Sequence, residues 1–364
     1  MRLDSRGFTL VEMMVALALG LVTALATLEM LSTYLASERR LSARNDAQVN
    51  AALALAALQR EVRMAGAGLT TPVGRLCASG VNIHFNGTLA DGSALHGLRI
   101  IDGGTGPDRL DVLRSQSDSA GAPLTILQEM GSPGDAITVD SRFGLSEGDL
   151  LLAGSADGLK TCTLTQLTSA PEAEGNSWRL LRSSNSNFNP ATPSTAFTNA
   201  MVYGPQDVVV NLGPQGPWRF DIVCSDLAPP SAGNTCDLVG YPVFSVPVPL
   251  SLENVESYAS QVFDLQAQYG IAPEGSATVS DWIDATGLWE SPSVAQERRI
   301  RAMRLAIVTR DAQPGATGTT PQIVYWANAD GSQRTRLLSG DATRYRYHVL
   351  SIVIPLINVA WSPL

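Results

Sequence analysis

An acidic residue inside an apolar segment is the first feature that suggests a specific chemistry. Over residues 8–35 the only charged side chains are Glu12 and Glu29, and no proline interrupts the run. These residues, about 28 in number, would form a helix roughly 42 Å long, whereas about 20 residues cross a bilayer core. A carboxylate within a membrane is costly unless it is neutral or paired, so Glu12 indicates a function that requires a partner.

Two simpler interpretations of this segment explain less. A secretory signal peptide would have a shorter apolar region and a cleavage site with small residues at its far end. The run is too long for that, although Ala24 and Ala26 form a weak match to such a site. A plain membrane anchor fits the hydropathy but leaves Glu12 without a role.

Ser146 is a candidate nucleophile because it lies in the pattern Gly-x-Ser-x-Gly. This pattern presents a serine for catalysis only between a strand and a helix. Residues 149–154 after it are predicted to form a strand, and His84, His96 and His348 show no supporting pattern. We interpret the pattern as a turn between strands and predict no enzyme.

The first residues resemble the class III leader of type IV prepilins and of the related pseudopilins. Arg2 and Arg6 precede Gly7, Phe8 follows it, and Glu12 is the fifth residue after Gly7. The resemblance implies that prepilin peptidase cuts between Gly7 and Phe8 and methylates the new amino group of Phe8. It also places the bulk of the chain in the periplasm, anchored in inner membrane lipid, and later in the pilus on the cell surface.

The same resemblance gives Glu12 a partner. In an assembled filament its carboxylate would neutralise the terminal ammonium group of a neighbouring subunit. A low dielectric strengthens that attraction and makes an unpaired charge costly. Glu29 is interpreted as an acid at the outer interface or on the filament surface.

A long helix must position Glu12. Beyond the membrane segment, apolar residues recur at steps of three and four, and Gly66 and Gly68 then favour a helix end. One helix over 8–65 would be roughly 87 Å long, with one half in lipid and the other against a head. The apolar face of the second half is formed by Ala51, Leu55, Leu58, Val62 and Ala65.

The rest of the chain predicts a β-rich head. Short strand-like runs are separated by glycine, asparagine, aspartate and proline, and such spacing favours antiparallel sheets. The chain has a net charge of −9, and a predominantly acidic head does not predict nucleic-acid binding. Predicted strands cover 98–102, 108–115, 124–130, 136–140, 149–154, 159–167, 201–224, 239–248, 301–310 and 344–354.

Four cysteines, an even number in an oxidising compartment, predict two disulfides. Three pairings are possible, and we favour Cys224 with Cys236 and Cys77 with Cys162. A zinc site is the weaker interpretation because no Cys-x-x-Cys spacing is present. No metal and no cofactor are predicted.

One further helix is predicted over 251–270, where Val255, Tyr258, Val262, Leu265 and Tyr269 step by three and four. This segment and the strand at 301–310 resemble the corresponding block of PilW-type minor pilins. The predicted fold is therefore α+β, a pilin-like lollipop with a long N-terminal α-helix packed on a large, mainly antiparallel β head. The predicted divisions are a leader (1–7), a membrane and assembly helix (8–35), its amphipathic half (36–68), a β-rich region (69–250) and a C-terminal region (251–364).

The resemblance implies a minor pilin that primes or joins type IV pilus assembly and supports adhesion, twitching motility or DNA uptake. Its partners would be prepilin peptidase, other minor pilins and the major pilin. A minor pseudopilin of a type II secretion system is the alternative, since it shares the leader and the overall plan. A more remote alternative is a membrane-anchored periplasmic hydrolase that uses Ser146.

Overall fold

The computed structural model describes residues 9–71, 74–89, 95–113, 115–119, 121–184, 186–226, 228–231, 233–245, 250, 252–315, 320–328 and 330–360. Helix α1 (Leu10–Met64) leads into a β-rich head. The α+β lollipop plan is therefore confirmed. The predicted start of the helix at Phe8 lies outside the described residues.

Two glycines follow the end of α1, as the sequence predicts. Gly66 and Gly68 adopt φ angles of 78° and 85°, a region that glycine enters without steric cost. At Gly68 a larger residue would also clash with its surroundings, because a Cβ atom there would lie 2.6 Å from Cγ1 of Val210. The chain turns at this point from the helix into the head.

The head consists of β-strands, most of them in antiparallel pairs, with small helical segments between them. The helical segments are α2 (Pro193–Ala196), α3 (Val294–Glu297), α4 (Ile357–Ala360) and the 3₁₀ turns Gly287–Trp289 and Gly340–Arg344. The strands are β1 (Thr70–Thr71), β2 (Gly74–Arg75), β3 (Val81–Asn82), β4 (His84–Phe85), β5 (Thr88–Leu89), β6 (Leu98–Ile101), β7 (Arg109–Val112), β8 (Pro123–Thr125), β9 (Ile137–Val139), β10 (Leu150–Gly154), β11 (Cys162–Gln166), β12 (Glu172–Glu174), β13 (Ser177–Leu180), β14 (Val208–Gly213), β15 (Trp218–Cys224), β16 (Cys236–Pro242), β17 (Glu256–Ser260), β18 (Val262–Ile271), β19 (Asp281–Ile283), β20 (Ile300–Arg310), β21 (Gln322–Ala327), β22 (Gln333–Leu337) and β23 (Tyr347–Pro355).

Three larger sheets carry the head. Their strand orders are β3-β11-β10-β14-β8, β17-β16-β15-β7-β6 and β19-β18-β20-β23. Strands β12, β13 and β9 form a smaller sheet, and β1-β2, β4-β5 and β21-β22 are two-stranded. The pairing of β3 with β11 is parallel, whereas the other named pairs are antiparallel.

The main core lies between the second half of α1 and two of these sheets. Leu58 and Val62 of α1 share one buried cluster with Phe220, Leu265 and Met303 of the strands. The buried residues of the helix from Ala43 to Val62 recur at steps of three and four, as the amphipathic pattern predicts. The second half of α1 is therefore packed against the head along one face, and the first half extends beyond the head.

The predicted helix over 251–270 is wrong. Residues 256–260 and 262–271 form β17 and β18, and every residue of β18 is buried. A helix with one apolar face would expose its other face, but both faces of β18 are covered. Leu265, Ala267 and Tyr269 join the main core, whereas the polar side chains at alternate positions meet polar partners on the opposite face. The alternation of apolar and polar residues with a period of two indicates a strand. The apolar residues at steps of three and four in the same segment obscured that signal.

Candidate membrane and assembly segment

The first half of α1 exposes its apolar side chains on every side. The large apolar residues from Leu10 to Leu35 are between 45% and 76% exposed. By length and composition, α1 is long and apolar enough to cross a membrane. A helix that is apolar all round is typical of burial in lipid or among other such helices.

The serine and threonine hydroxyls from Thr23 to Thr33 are satisfied by the helix itself. Thr23 Oγ1 donates to the carbonyl of Gly20 at 2.9 Å, and Thr27 Oγ1 donates to the carbonyl of Ala24 at 2.8 Å. Ser32 and Thr33 donate in the same way to the carbonyl of Glu29. Because an unpaired hydroxyl is costly in hydrocarbon, these bonds make the segment compatible with a membrane.

Glu12 lies in the first turn of α1, where it closes a capping box with Thr9. The backbone N–H and the hydroxyl of Thr9 both donate to Oε2 of Glu12 at 2.9 Å, and the N–H of Glu12 donates back to Thr9 Oγ1 at 3.3 Å. This arrangement satisfies N–H groups that the start of a helix leaves unpaired. It also holds a carboxylate at the positive end of the helix.

Thr9 is a functional residue that was not predicted from the sequence. The pattern Thr-x-x-Glu before an apolar run is a known signal for a capping box, and it was available at residues 9–12. The cleavage site between Gly7 and Phe8 lies outside the described residues, as do Arg2 and Arg6. The structure therefore gives the position of Glu12 but not that of its expected partner, the N-terminal ammonium group of a neighbouring subunit.

Four cysteines tie together the strands of the head. Cys77 is bonded to Cys162 at the start of β11, across 85 residues of sequence. Cys224 ends β15 and is bonded to Cys236, its direct neighbour at the start of β16. These are the two pairs of the favoured alternative.

Ser146 lies in a turn. Its backbone N–H donates to Oδ2 of Asp149 at 2.9 Å, and the N–H of Asp149 donates to the carbonyl of Ser146 at 3.1 Å. The chain then enters β10, so the segment after Ser146 is a strand and not a helix. The histidines contact other groups, since His96 pairs with Glu297 and His348 with Asp311. The interpretation of this pattern as a turn is confirmed.

Two family models match the chain at its two ends. Residues 2–28 match the prokaryotic N-terminal methylation motif, and residues 250–358 match type IV pilus-assembly protein W. No curated protein and no solved structure matches it. The first match covers Gly7, Phe8 and Glu12, and the second covers β17, β18, β20 and β23.

Proposed function

We propose that this chain, whose two family matches support a PilW-type pilin of the type IV pilus, is processed between Gly7 and Phe8 and enters the pilus through α1. Prepilin peptidase would release the amino group of Phe8 and methylate it. The product is a minor pilin held in the inner membrane, with its head in the periplasm until assembly. Both matches point to a structural component of the pilus rather than to an enzyme.

The observation that carries this proposal is the position of Glu12. Its carboxylate lies in the first turn of a helix whose surface is apolar for more than 20 residues beyond it, and it is exposed. A neighbouring subunit that brings its own N-terminal ammonium group to this carboxylate neutralises both charges in a low dielectric. Assembly then exchanges lipid contacts along α1 for contacts with other α1 helices.

The match to type IV pilus-assembly protein W favours a pilus over a type II secretion pseudopilus. The size of the head supports a place at the tip or in priming, since a bulky head hinders repeated close packing. Adhesion, twitching motility or DNA uptake would then depend on this subunit indirectly, through the pilus it helps to start. The partners we propose are other minor pilins and the major pilin.

N-terminal sequencing of the mature chain tests the processing step. We expect the chain to begin at N-methylated Phe8 when it is purified from membranes or from sheared pili. A start at Met1, or a start beyond the apolar helix, would contradict the proposal. The same preparation from cells without prepilin peptidase should begin upstream of Phe8.

Glu12→Gln tests the charge pairing separately from the helix cap. Glutamine at this position keeps an oxygen that can accept from Thr9, but it carries no charge. We expect Glu12→Gln to insert into membranes at the normal level and to be depleted from sheared pili by about tenfold or more, a ratio equivalent to about 1.4 kcal/mol. Glu29→Gln is the matched control and should enter pili normally. Normal incorporation of Glu12→Gln would overturn the pairing.

A further inference from the structure

A pocket of about 190 Å³ lies in the head beside residues 182–197, in the region that neither family model matches. Its walls come from β11, from the turn at Pro133 and Gly134, and from the loop that follows β13. Pockets for drug-sized molecules are about 300–1,000 Å³, so this one is suited to a single small group. It is separate from the membrane and assembly segment.

The pocket is preformed because an asparagine fixes the loop to the sheet. Asn189 is 5% exposed and uses its whole side-chain amide. Its Oδ1 accepts from Thr165 Oγ1 at 2.6 Å and from the N–H of Gln166 at 2.8 Å. Its Nδ2 donates to the carbonyls of Gln166 at 2.8 Å and Ser183 at 3.0 Å.

Arg182 supplies a positive charge to this pocket, and the nearby carboxylate of Asp135 favours that charge without forming an ion pair. Its Nε and Nη2 donate to the backbone carbonyls of Asp135 and Pro133. Within the described part of the chain, Nη1 donates no hydrogen bond and no carboxylate forms an ion pair with the guanidinium. Burial lowers the pKa of Arg182 to about 10, so the side chain is a cation at neutral pH.

Two other partly buried arginines of the head are paired with carboxylates, whereas Arg310 donates to backbone carbonyls as Arg182 does. Arg219 lies 2.6 Å from Asp111, and Arg336 lies 2.6 Å from Asp264. A buried charge is usually paired because leaving water is costly. The carbonyls beside Arg182 accept from Nε and Nη2, which leaves Nη1 to donate to an anion in the pocket.

The remaining walls of the pocket select among anions. Ser183 and Ser184 line it, and their hydroxyls donate no hydrogen bond to the residues that the structure describes. Phe188 forms an apolar wall and is held by Phe85 and Phe244, with ring centroids 4.9 and 5.5 Å away. A cation, two hydroxyls and an aromatic side chain complement a ring that carries a carboxylate and several hydroxyl groups.

We propose that this pocket binds one acidic sugar residue, with its carboxylate on Arg182 and its hydroxyls near Ser183 and Ser184. Such a residue occurs free or at the end of a polysaccharide, and the chemistry of recognition is the same. Binding here does not depend on the proposed role in assembly. It would give the head a ligand outside the pilus.

Titration of the full-length chain in detergent micelles tests this proposal, with binding measured by calorimetry. The probes are sodium glucuronate, glucose and inorganic phosphate. We expect glucuronate to bind at least about tenfold more tightly than glucose or phosphate, and Arg182→Gln to weaken it by about tenfold or more. Arg179→Gln is the matched control, since it removes an exposed arginine three residues away on β13. That control should bind glucuronate within about twofold of the unchanged chain.

A second variant separates binding from folding. Ala191 is exposed and lines the pocket, so Ala191→Phe would fill the pocket and leave Arg182 in place. We expect it to abolish glucuronate binding while the melting temperature stays close to that of the unchanged chain. If Arg182→Gln does not fold, Ala191→Phe alone tests whether glucuronate binds in the pocket. Absence of glucuronate binding, equal binding of glucose or phosphate, or undiminished binding by Ala191→Phe would overturn the proposal.

Discussion

Thr309 Oγ1 donates a hydrogen bond of 2.7 Å to the backbone carbonyl of Ala47, although 262 residues separate the two. Thr309 lies on β20 and is fully buried. A side chain can reach the backbone of a helix in this way only where the helical residues are small. The bond fixes the position of α1 along the sheet, and with it the distance between the head and the membrane segment.

Substitutions on two neighbouring alanines test how closely α1 approaches the sheet. Ala51 is fully buried in the main core, whereas Ala52 is exposed. We expect Ala51→Leu to lower the free energy of unfolding by about 1–3 kcal/mol, because extra methylene groups do not fit a packed core. Ala52→Leu should change it by less than about 0.5 kcal/mol, because surface substitutions rarely do more.

The two variants have the same change in helix propensity, so the comparison isolates packing. Denaturant unfolding of the full chain in detergent micelles measures both. Equal losses for the two variants would contradict the close contact between α1 and the strands.

The sequence predicted α1 well because its signals are local. Apolar residues at steps of three and four and two glycines at its end depend only on neighbouring positions. The structure has the helix over Leu10–Met64, against a prediction of 8–65. The strands at 98–102, 149–154 and 301–310 were predicted for the same reason, from short apolar runs between turn residues.

The failure at 251–270 has a non-local cause. On the polar face of β18, Asp264 is covered by Tyr325 of β21 and Arg336 of β22, about 60–70 residues further along the chain. No local pattern predicts that cover, so a run of buried residues resembled one face of a helix. The pocket beside Arg182 was missed for a similar reason, since it depends on Asn189 reaching β11.

Arg336 stabilises the head through a buried carboxylate. Asp264 is fully buried and accepts from Arg336 Nη1 at 2.6 Å and from the hydroxyl of Tyr325 at 2.5 Å. We expect Arg336→Gln to lower the free energy of unfolding by about 3–5 kcal/mol, because it leaves the buried charge of Asp264 without its cationic partner. The same denaturant titration measures this loss.

Arg334 on the same strand offers a matched control. It pairs with Asp284 at 3.3 Å, and both side chains are about one-third exposed. An exposed pair contributes about 0–1 kcal/mol, so Arg334→Gln should have little effect. If Arg334→Gln lowers the free energy of unfolding as much as Arg336→Gln does, burial does not explain the contribution of the Arg336–Asp264 pair to stability.

The two disulfides should differ in their contribution to stability. In the chain-entropy account, a bond that closes a longer loop restricts the unfolded chain more. The loop of Cys77–Cys162 spans 85 residues and that of Cys224–Cys236 spans 12. We expect replacement of both cysteines by serine to cost about 4–5 kcal/mol for the first pair and about 3 kcal/mol for the second. Thermal melting under non-reducing conditions would show the order, and a larger loss for the short loop would contradict it.

Asp108 should make the stability of the head depend on pH. Its side chain is 4% exposed, and its two oxygens accept from the N–H groups of Gly103 at 2.9 Å and Ala267 at 2.8 Å. Burial, together with the nearby acids Asp102 and Asp264, raises the pKa of Asp108 to about 7, although the two N–H donors lower it. In the unfolded chain the pKa of this carboxyl is near 3.8.

The folded chain therefore binds the proton more tightly than the unfolded chain does, and its stability falls as pH rises. The loss begins near pH 4 and is complete above about pH 7, with a total of about 4 kcal/mol at 1.36 kcal/mol per pKa unit. Asp108→Asn cannot titrate, so the stability difference between it and the unchanged chain should shift across this range. Asp118→Asn, at an exposed position, should follow the unchanged chain. Unfolding free energies measured from pH 4 to pH 8 test this prediction. A stability difference between Asp108→Asn and the unchanged chain that stays constant with pH would show that this carboxyl is ionised throughout.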